Sequence, residues 1–428
     1  MDNKVDVIVI GAGPSGISSA ITIARGGKSV VVLDRGKNFG TKNMFGGVVY
    51  LKSIKDLLPN SWQNAPYERI TGSHSWSFLT DKSLISMNYK NEEENEFGSA
   101  SVFRPAFDNW LVEEAKKEGV YFAPSTVVRD LIVEKGKVIG VKTDLEEFYA
   151  PITIIAEGAN SLLSEKLGLK KKNDPKDIIV GIKETYKLDS EIIEERFNLK
   201  SGKGSIMEFF GGLEDDILAL GFLYTFKDNI ALGLGVSLDD LSKKKLTPYE
   251  LLEKLKSHPE IEKLIKDGEI SEYSAHLIPD GGYKKIPQIY SNGVMLVGDA
   301  CGFLNPLHFE GTNLAIYSGI YAGETALLAL QKNDFSKKTL CEYKKKFEKS
   351  FMKQDLRSYQ NLFKLAYNKK KAIFIEYPKL MEQFFEMFTN ADSTPKKLHY
   401  RKFIFKSALP RIFKDCLQFA KTLFEVLK

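Results

Sequence analysis

Three glycines spaced as G-x-G-x-x-G, Gly11, Gly13 and Gly16, stand near the start of the chain, and an acid, Asp34, follows 23 residues after the first. Together these residue types can hold the pyrophosphate of a dinucleotide. Gly11 permits a tight turn, Gly13 lets the backbone approach the phosphates, and Gly16 lets the following helix pack closely on the preceding strand. The free N–H groups at the helix N-terminus face the phosphates, and Asp34 is placed to accept hydrogen bonds from ribose hydroxyls. A second glycine–acid pair, Gly298-Asp299, recurs late in the chain behind another apolar run. Side chains suited to nucleophilic or acid–base work are sparse. Cys301 reads as small packing after the Gly298-Asp299 turn, His308 as a lone loop histidine, and His74 and Trp76 as packing residues. No catalytic side chain is assigned; the expected chemistry belongs to a bound carrier.

The elements that must position these residues are legible from pattern. "VDVIVI" has strand length, is rich in β-branched residues and is stopped by glycine, as in a strand buried on both faces. Ile17, Ala20, Ile21 and Ala24 then recur at helical spacing, Gly26-Gly27 ends the helix, and "KSVVVLD" is a second strand closed by Asp34. The segment Gly293 to Gly319, "GVMLVGDACGFLNPLHFEGTNLAIYSG", reads as a buried strand, the Gly298-Asp299 turn, a turn at Pro306 and a helix opened near Gly311.

The glycines alone do not choose between FAD and NAD. The Asp299 segment, however, resembles the second FAD fingerprint of glutathione-reductase-type flavoproteins. That resemblance implies that Asp299 binds the ribitol chain and that backbone N–H groups of Gly311, Thr312 and Asn313 face the flavin's pyrimidine edge. "VFRPAFDNWL" carries the Arg-x-x-Phe-Asp pattern of the same proteins, with Arg104 as an FAD contact. "ITIIAEGANSLL" matches their strand-to-turn segment, with Gly158 and Asn160 in the turn. Glu157 stands where aromatic hydroxylases place Asp, which argues against a hydroxylase. The remaining FAD contacts implied are Pro14 and Ser15 in the first turn, Arg35 after Asp34, Gly46 and Gly47 in "MFGGVVY", Val128, Gly298 and Pro306.

The fold expected is α/β: a glutathione-reductase-type, Rossmann-like FAD-binding domain with an inserted antiparallel β-sheet domain and a helical C-terminal region. Residues 1–75, 100–175 and 285–330 are assigned to the discontinuous FAD domain, and 76–99 and 176–284 to the substrate or cap sheet. There "IIVGIKETYKL", "ILALGFLYTF" and "NIALGLGVSL" alternate as strands do, and "TPYELLEKLKSH" reads as a helix. Residues 331–428 form the helical, basic tail.

The net charge of +5 hides an asymmetry. Residues 331–428 hold 23 basic and 10 acidic side chains, whereas the rest of the chain is acidic on balance. In the last segment Leu409, Ile412, Phe413, Cys416, Leu417, Ala420, Leu423, Phe424 and Leu427 share one helical face. Two uses of that face stay open: packing against the body, or lying in a lipid interface. No apolar run reaches the ~20 residues that span a bilayer. Three cysteines without a CxxC pair exclude a disulfide framework and a cluster held by this chain alone. A reducing, cytoplasmic compartment is expected, with peripheral contact on the inner face of the cell membrane. Nucleic-acid binding is set aside, since only the basic tail would favour it.

More specifically, the chain resembles the FixC proteins and the related electron-transfer-flavoprotein:quinone oxidoreductases. The resemblance runs through "GTKNMFGGVVY", the Arg104 segment, "HLIPDGGYKKIPQIYSNGVMLVGDACGF" and "FEGTNLAIYSG". It implies an FAD that takes electrons from electron-transfer-flavoprotein subunits and passes them to a quinone or a ferredoxin-like partner. The missing cysteine-rich module agrees with a cluster on a separate FixX-like ferredoxin. A rival reading, hydrogenation of isoprenoid lipids as in geranylgeranyl reductases, would share the basic amphipathic tail. "MFGG" and "GGYKKIPQ" replace the Cys-Gly pair and "GYxWxFP" element of those reductases. A second rival is a non-catalytic subunit that binds FAD for stability.

Overall fold

A computed structural model describes residues 4–41, 46–93, 98–211, 213–214, 217–279, 282–305, 310–406 and 409–427. The chain divides into two compact units: residues 1–71, 93–179 and 274–357 form the first, and 72–92, 180–273 and 358–428 the second.

The first unit is built on a six-stranded sheet in the order Tyr290–Ser291, Val294–Leu296, Ile152–Ile155, Val7–Ile10, Val30–Leu33 and Tyr121–Ala123. Its five longer strands run parallel, with Val7 opposite both Ile152 and Val30. Val7–Ile10, Val30–Leu33, Ile152–Ile155 and Val294–Leu296 are buried along their whole length. Layers cover both sheet faces, which is why these strands read as unbroken apolar runs rather than alternations. Because the strands are parallel, their C-terminal ends share one edge. The chain therefore places Gly11, Asp34, Glu157 and Asp299 beside one another although up to 288 positions separate them.

Two helices pack at unusually close range on this sheet. Gly319 and Gly323 lie on the helix Thr312–Lys332 against the helix Pro14–Arg25. A Cβ at Gly319 would fall 2.2 Å from the Ser15 carbonyl oxygen, and one at Gly323 2.7 Å from Thr22 Cβ. Their shared core includes the fully buried Ile17, Ile21, Leu314 and Ile316; burying each such side chain contributes about 1.5–3 kcal/mol.

In the second unit the strands Lys203–Gly211, Ala219–Thr225 and Asn229–Ser237 pair antiparallel in sequence order. Ser73–Leu79 pairs with Leu84–Lys90. A separate core of Leu223, Leu232, Leu234, Leu252, Leu255 and Ile261 lies under these strands. The helix Pro248–Lys256 starts with a reciprocal cap between Thr247 and Glu250.

The helical tail does not form a third region as expected. Leu340, Tyr343, Phe347, Met352 and Leu356 complete the first core, so residues 331–357 belong to the first unit. From Ser358 onward the tail belongs to the second. There Phe374 stacks on Phe210 at 6.1 Å between centroids, and Lys370 donates to Asp240 at 3.0 Å. The boundaries inside the chain also fall four to eleven residues from those expected, at Gly72, Glu93, Val180 and Ser274.

Candidate cofactor site

The carboxyl edge of the first unit's sheet opens into a cavity of about 870 Å³, within the ~300–1,000 Å³ usual for ligand sites. Gly11, Gly13, Pro14 and Ser15 form one wall, Asp34 and Arg35 one end, Val128 and Gly158 a side, and Arg104, Asp299, Gly311 and Thr312 the remainder. Of the other residues singled out in the sequence, Gly16 and Gly298 lie behind this lining, and Gly46 and Gly47 stand on the strand Gly46–Tyr50, with Gly46 opposite Phe103, the neighbour of the lining residue Arg104. Asn313 follows the lining residue Thr312 and is buried. Pro306 and His308 fall outside the described residues, as do Met44 and Phe45.

The first wall is made of backbone. Gly11 has φ of +105°, a conformation suited to glycine, and a Cβ there would sit 2.3 Å from the Ala156 carbonyl oxygen. A Cβ on Gly16 would fall 2.0 Å from the Gly11 carbonyl oxygen, whereas one on Gly13 would meet nothing within 4 Å. The turn is thus tight behind and open in front, as a phosphate cradle requires. Pro14 opens the helix at a position where no N–H is needed, and its first turn carries no acid. Asp34 accepts from the Ala12 N–H at 2.8 Å and the Gly36 N–H at 2.7 Å, one on each carboxylate oxygen. Each oxygen keeps a further lone pair for a ligand hydroxyl.

Another part of the lining is made of charge. Arg104 donates twice to the fully buried Asp108, at 2.9 Å from both Nε and Nη2. Burial disfavours the guanidinium, but Asp108 and, at longer range, Asp299 more than offset this and raise its pKa. Around Asp299, burial pushes the carboxyl pKa up, while His276, Arg104 and Lys170 pull against it in that order. Burial holds His276 below its ordinary value. The Gly298 N–H donates to Ser318 Oγ at 2.9 Å, which fixes the turn to the helix behind it. Cys301, fully buried, has its thiol pushed well up by burial. It is held as a neutral packing group, and among the described residues no cluster of metal-ligating side chains occurs.

Glu157 has a use that its departure from the hydroxylase pattern did not disclose. Its carboxylate accepts from the N–H groups of Leu163 and Ser164, at 2.8 and 2.9 Å, and from Ser164 Oγ at 2.8 Å. It therefore secures the start of the short helix Leu162–Lys166. Across the cavity, Asn305 and Glu310 exchange backbone hydrogen bonds at 2.9 and 3.1 Å, and Asn313 donates to Glu310 at 3.2 Å. The Oδ1 of Asn313 is buried and accepts no hydrogen bond from the described residues. A polar ligand can satisfy it.

Sequence reasoning missed His276, Lys170, Arg129 and Lys166. His276, Arg129 and Lys166 line the cavity, and Lys170 lies behind it. His276 stands on the strand Glu269–Pro279 and begins the segment "HLIPDGGYKKIPQ", whose resemblance assigned no role to it. Lys170 heads the run Lys170-Lys171-Lys172, which reads as a solvated surface.

Comparison with known proteins adds to this geometry. The family model for FAD dependent oxidoreductases matches residues 6–163, and the one for the ubiquinone-binding part of ETF-QO matches residues 179–278. The chain is 36% identical to Protein FixC of Azorhizobium caulinodans over 98% of this chain and 99% of that protein. It is 37% identical to the probable electron transfer flavoprotein-quinone oxidoreductase YdiS of Escherichia coli, over 99% of this chain and 100% of that one. Among solved structures, a geranylgeranyl bacteriochlorophyll reductase-like protein of Thermoplasma acidophilum matches with a TM-score of 0.73 at 20% identity, covering 97% of this chain and 99% of the other. The myxobacterial chondrochloren halogenase CndH matches at 0.68 and 18% identity, covering 90% of each chain. At these low identities the structural likeness is one of fold.

Proposed function

Because the chain belongs to the FixC and electron-transfer-flavoprotein–quinone oxidoreductase family and is an FAD-dependent oxidoreductase, we propose that it relays electrons from an electron-transfer flavoprotein to a quinone or to a small FixX-like ferredoxin. The observation that carries this reading is the succession, in one chain, of an FAD-type cavity and a segment matching a ubiquinone-binding model. FAD supplies one- and two-electron storage when bound. The chain's own residues supply position. Gly11 to Ser15 receive the pyrophosphate, Asp34 the ribose and Asp299 the ribitol hydroxyls, and Arg104 offsets the charge of Asp299. The sequence has three cysteines, one fewer than the four thiolates that usually hold an iron–sulfur cluster, so the cluster of such a relay is assigned to a separate protein.

The relay works at the cytoplasmic surface of a membrane, on the same proposal. In the final helix, Leu409–Leu427, Asp415 is buried, accepting from Lys369 Nζ at 2.9 Å and from the Tyr377 hydroxyl. Phe413, Leu417, Leu423 and Phe424 are exposed instead, as are Phe384, Phe385 and Phe388 on the helix Tyr377–Thr389. Exposed aromatics beside an excess of lysine suit an anionic lipid interface. No described helix is long and apolar enough to cross a membrane.

Photoreduced holoprotein mixed with a ubiquinone analogue tests the relay. Reoxidation at least about tenfold faster than in buffer is the expected result; no acceleration, with saturation of an added geranylgeranyl lipid, would replace the relay with a lipid reductase. Sedimentation with anionic vesicles tests the surface. The intact chain should pellet and a chain ending before Ala408 should not; equal binding by both would overturn the assignment to the last helix.

A further inference from the structure

Lys170 is the one lysine of its run that turns inward, and only 9% of it is exposed. Its Nζ donates to Ser161 Oγ at 2.7 Å and to the Ala300 carbonyl oxygen at 3.3 Å. These acceptors belong to two different turns at the cavity, Gly158–Asn160 with Ser161 behind it, and Gly298–Cys301. Ser161 has φ of +54°, a strained left-handed conformation for serine, and its hydroxyl also reaches the Ala159 carbonyl at 3.2 Å. The residue before Lys170 is fixed in turn, since the Gln288 N–H donates to the Leu169 carbonyl at 3.2 Å. A buried ammonium is costly unless its charge and protons are used. Burial lowers the Lys170 pKa below its ordinary value, and Cys301, Glu157, Glu165 and Asp299, in that order, pull against it. Cys301 is neutral, and Glu157 is engaged by Leu163 and Ser164. Asp299 is faced in addition by His276 and Arg104, and its backbone carbonyl accepts from the Gly302 N–H at 2.9 Å.

We propose that Lys170 is a positioning residue of the FAD site: its ammonium, bonded to Ser161 Oγ and to the Ala300 carbonyl oxygen, ties the Gly158 turn to the Gly298 turn that carries Asp299. The role rests on FAD occupying the cavity and not on the direction of electron flow, so its failure leaves the relay standing. Two consequences separate it from plain packing. Charge at position 170 matters, so arginine substitutes for lysine better than methionine does. The effect also grows as pH falls, because without the cation Asp299 takes up a proton at higher pH.

The FAD dissociation constant of Lys170→Met, Lys170→Arg and the unaltered protein, measured by flavin fluorescence between about pH 5.5 and about pH 8.5, tests both, with apoprotein melting recorded alongside. Lys170→Met should weaken FAD by about tenfold or more at the acid end and by clearly less at the alkaline end, and Lys170→Arg should recover most of the loss. A loss that is the same at every pH and not recovered by arginine, or no loss, would overturn the proposal. Should Lys170→Met not fold, Ser161→Ala serves: it keeps the charge and removes one anchor. It should weaken FAD by about two- to fivefold with no pH trend, and unchanged affinity would overturn the tether.

Discussion

The two turns Gly11–Gly16 and Gly298–Cys301, which meet at Ser15 and Gly298, solve the same problem with different materials. The Gly11–Gly16 turn uses backbone: glycines too close to Ala156 and Gly11 for any side chain, and a helix N-terminus with no acid in its first turn. The Gly298–Cys301 turn uses charge: a carboxylate that burial disfavours, surrounded by His276, Arg104 and Lys170. A backbone site has nothing to titrate, so it should fail only by steric change. A charge site should fail gradually and with pH. The comparison teaches that one cofactor can be held by a part indifferent to conditions and a part tuned by them.

The largest effect should come from filling the backbone turn. Gly16→Val places atoms where 2.0 Å already separates an added Cβ from the Gly11 oxygen, and bound flavin measured by its visible absorbance should fall by more than about 100-fold in affinity, equally at all pH values. A pH-dependent loss would erase the distinction between the turns. Next comes Asp299→Ala, expected to weaken FAD by about 10- to 100-fold at neutral pH.

A smaller and opposite-signed effect sharpens the contrast. The folded-state pKa of Asp299 is raised above its unfolded value, so between those two values the folded state holds more protons and stability falls as pH rises. At neutral pH its charge therefore costs stability. Asp299→Asn should raise the melting temperature of the apoprotein, by about 1–3 °C, while weakening FAD; a lowered apoprotein melting temperature would show that Asp299 is a structural group. Glu157→Ala should cost about 1 kcal/mol of stability through the lost cap and change FAD affinity less than about threefold. The smallest effect is expected of Cys301→Ala, whose buried neutral thiol should leave the rate of flavin reoxidation within about twofold.

The contrast also explains what could be read beforehand. The backbone turn was legible because strand, glycines, helix and terminal acid lie within one short stretch, each enforced by local sterics. The parallel sheet followed from unbroken apolar runs. Asp299 was legible through its own strand and glycine. Its surroundings were not, since Arg104, Lys170 and His276 come from three distant segments, and a lysine in a lysine run gives no sign of facing inward. The tight helix pair was not read beforehand: Gly319 and Gly323 at i, i+4 permit close approach but name no partner. The last helix was legible as amphipathic, but a periodic pattern cannot say which face meets the protein. Asp415, by pairing with Lys369 and Tyr377, decides it.

The central claim, that the cofactor is held on one side by backbone and on the other by a titrating carboxylate, is tested most directly by FAD affinity as a function of pH in the unaltered protein and in Asp299→Asn. The account predicts that the unaltered protein loses FAD as pH falls toward an acid limb lying above the ordinary aspartate range, and that Asp299→Asn binds weakly with no such limb. The same acid limb in both proteins would contradict it.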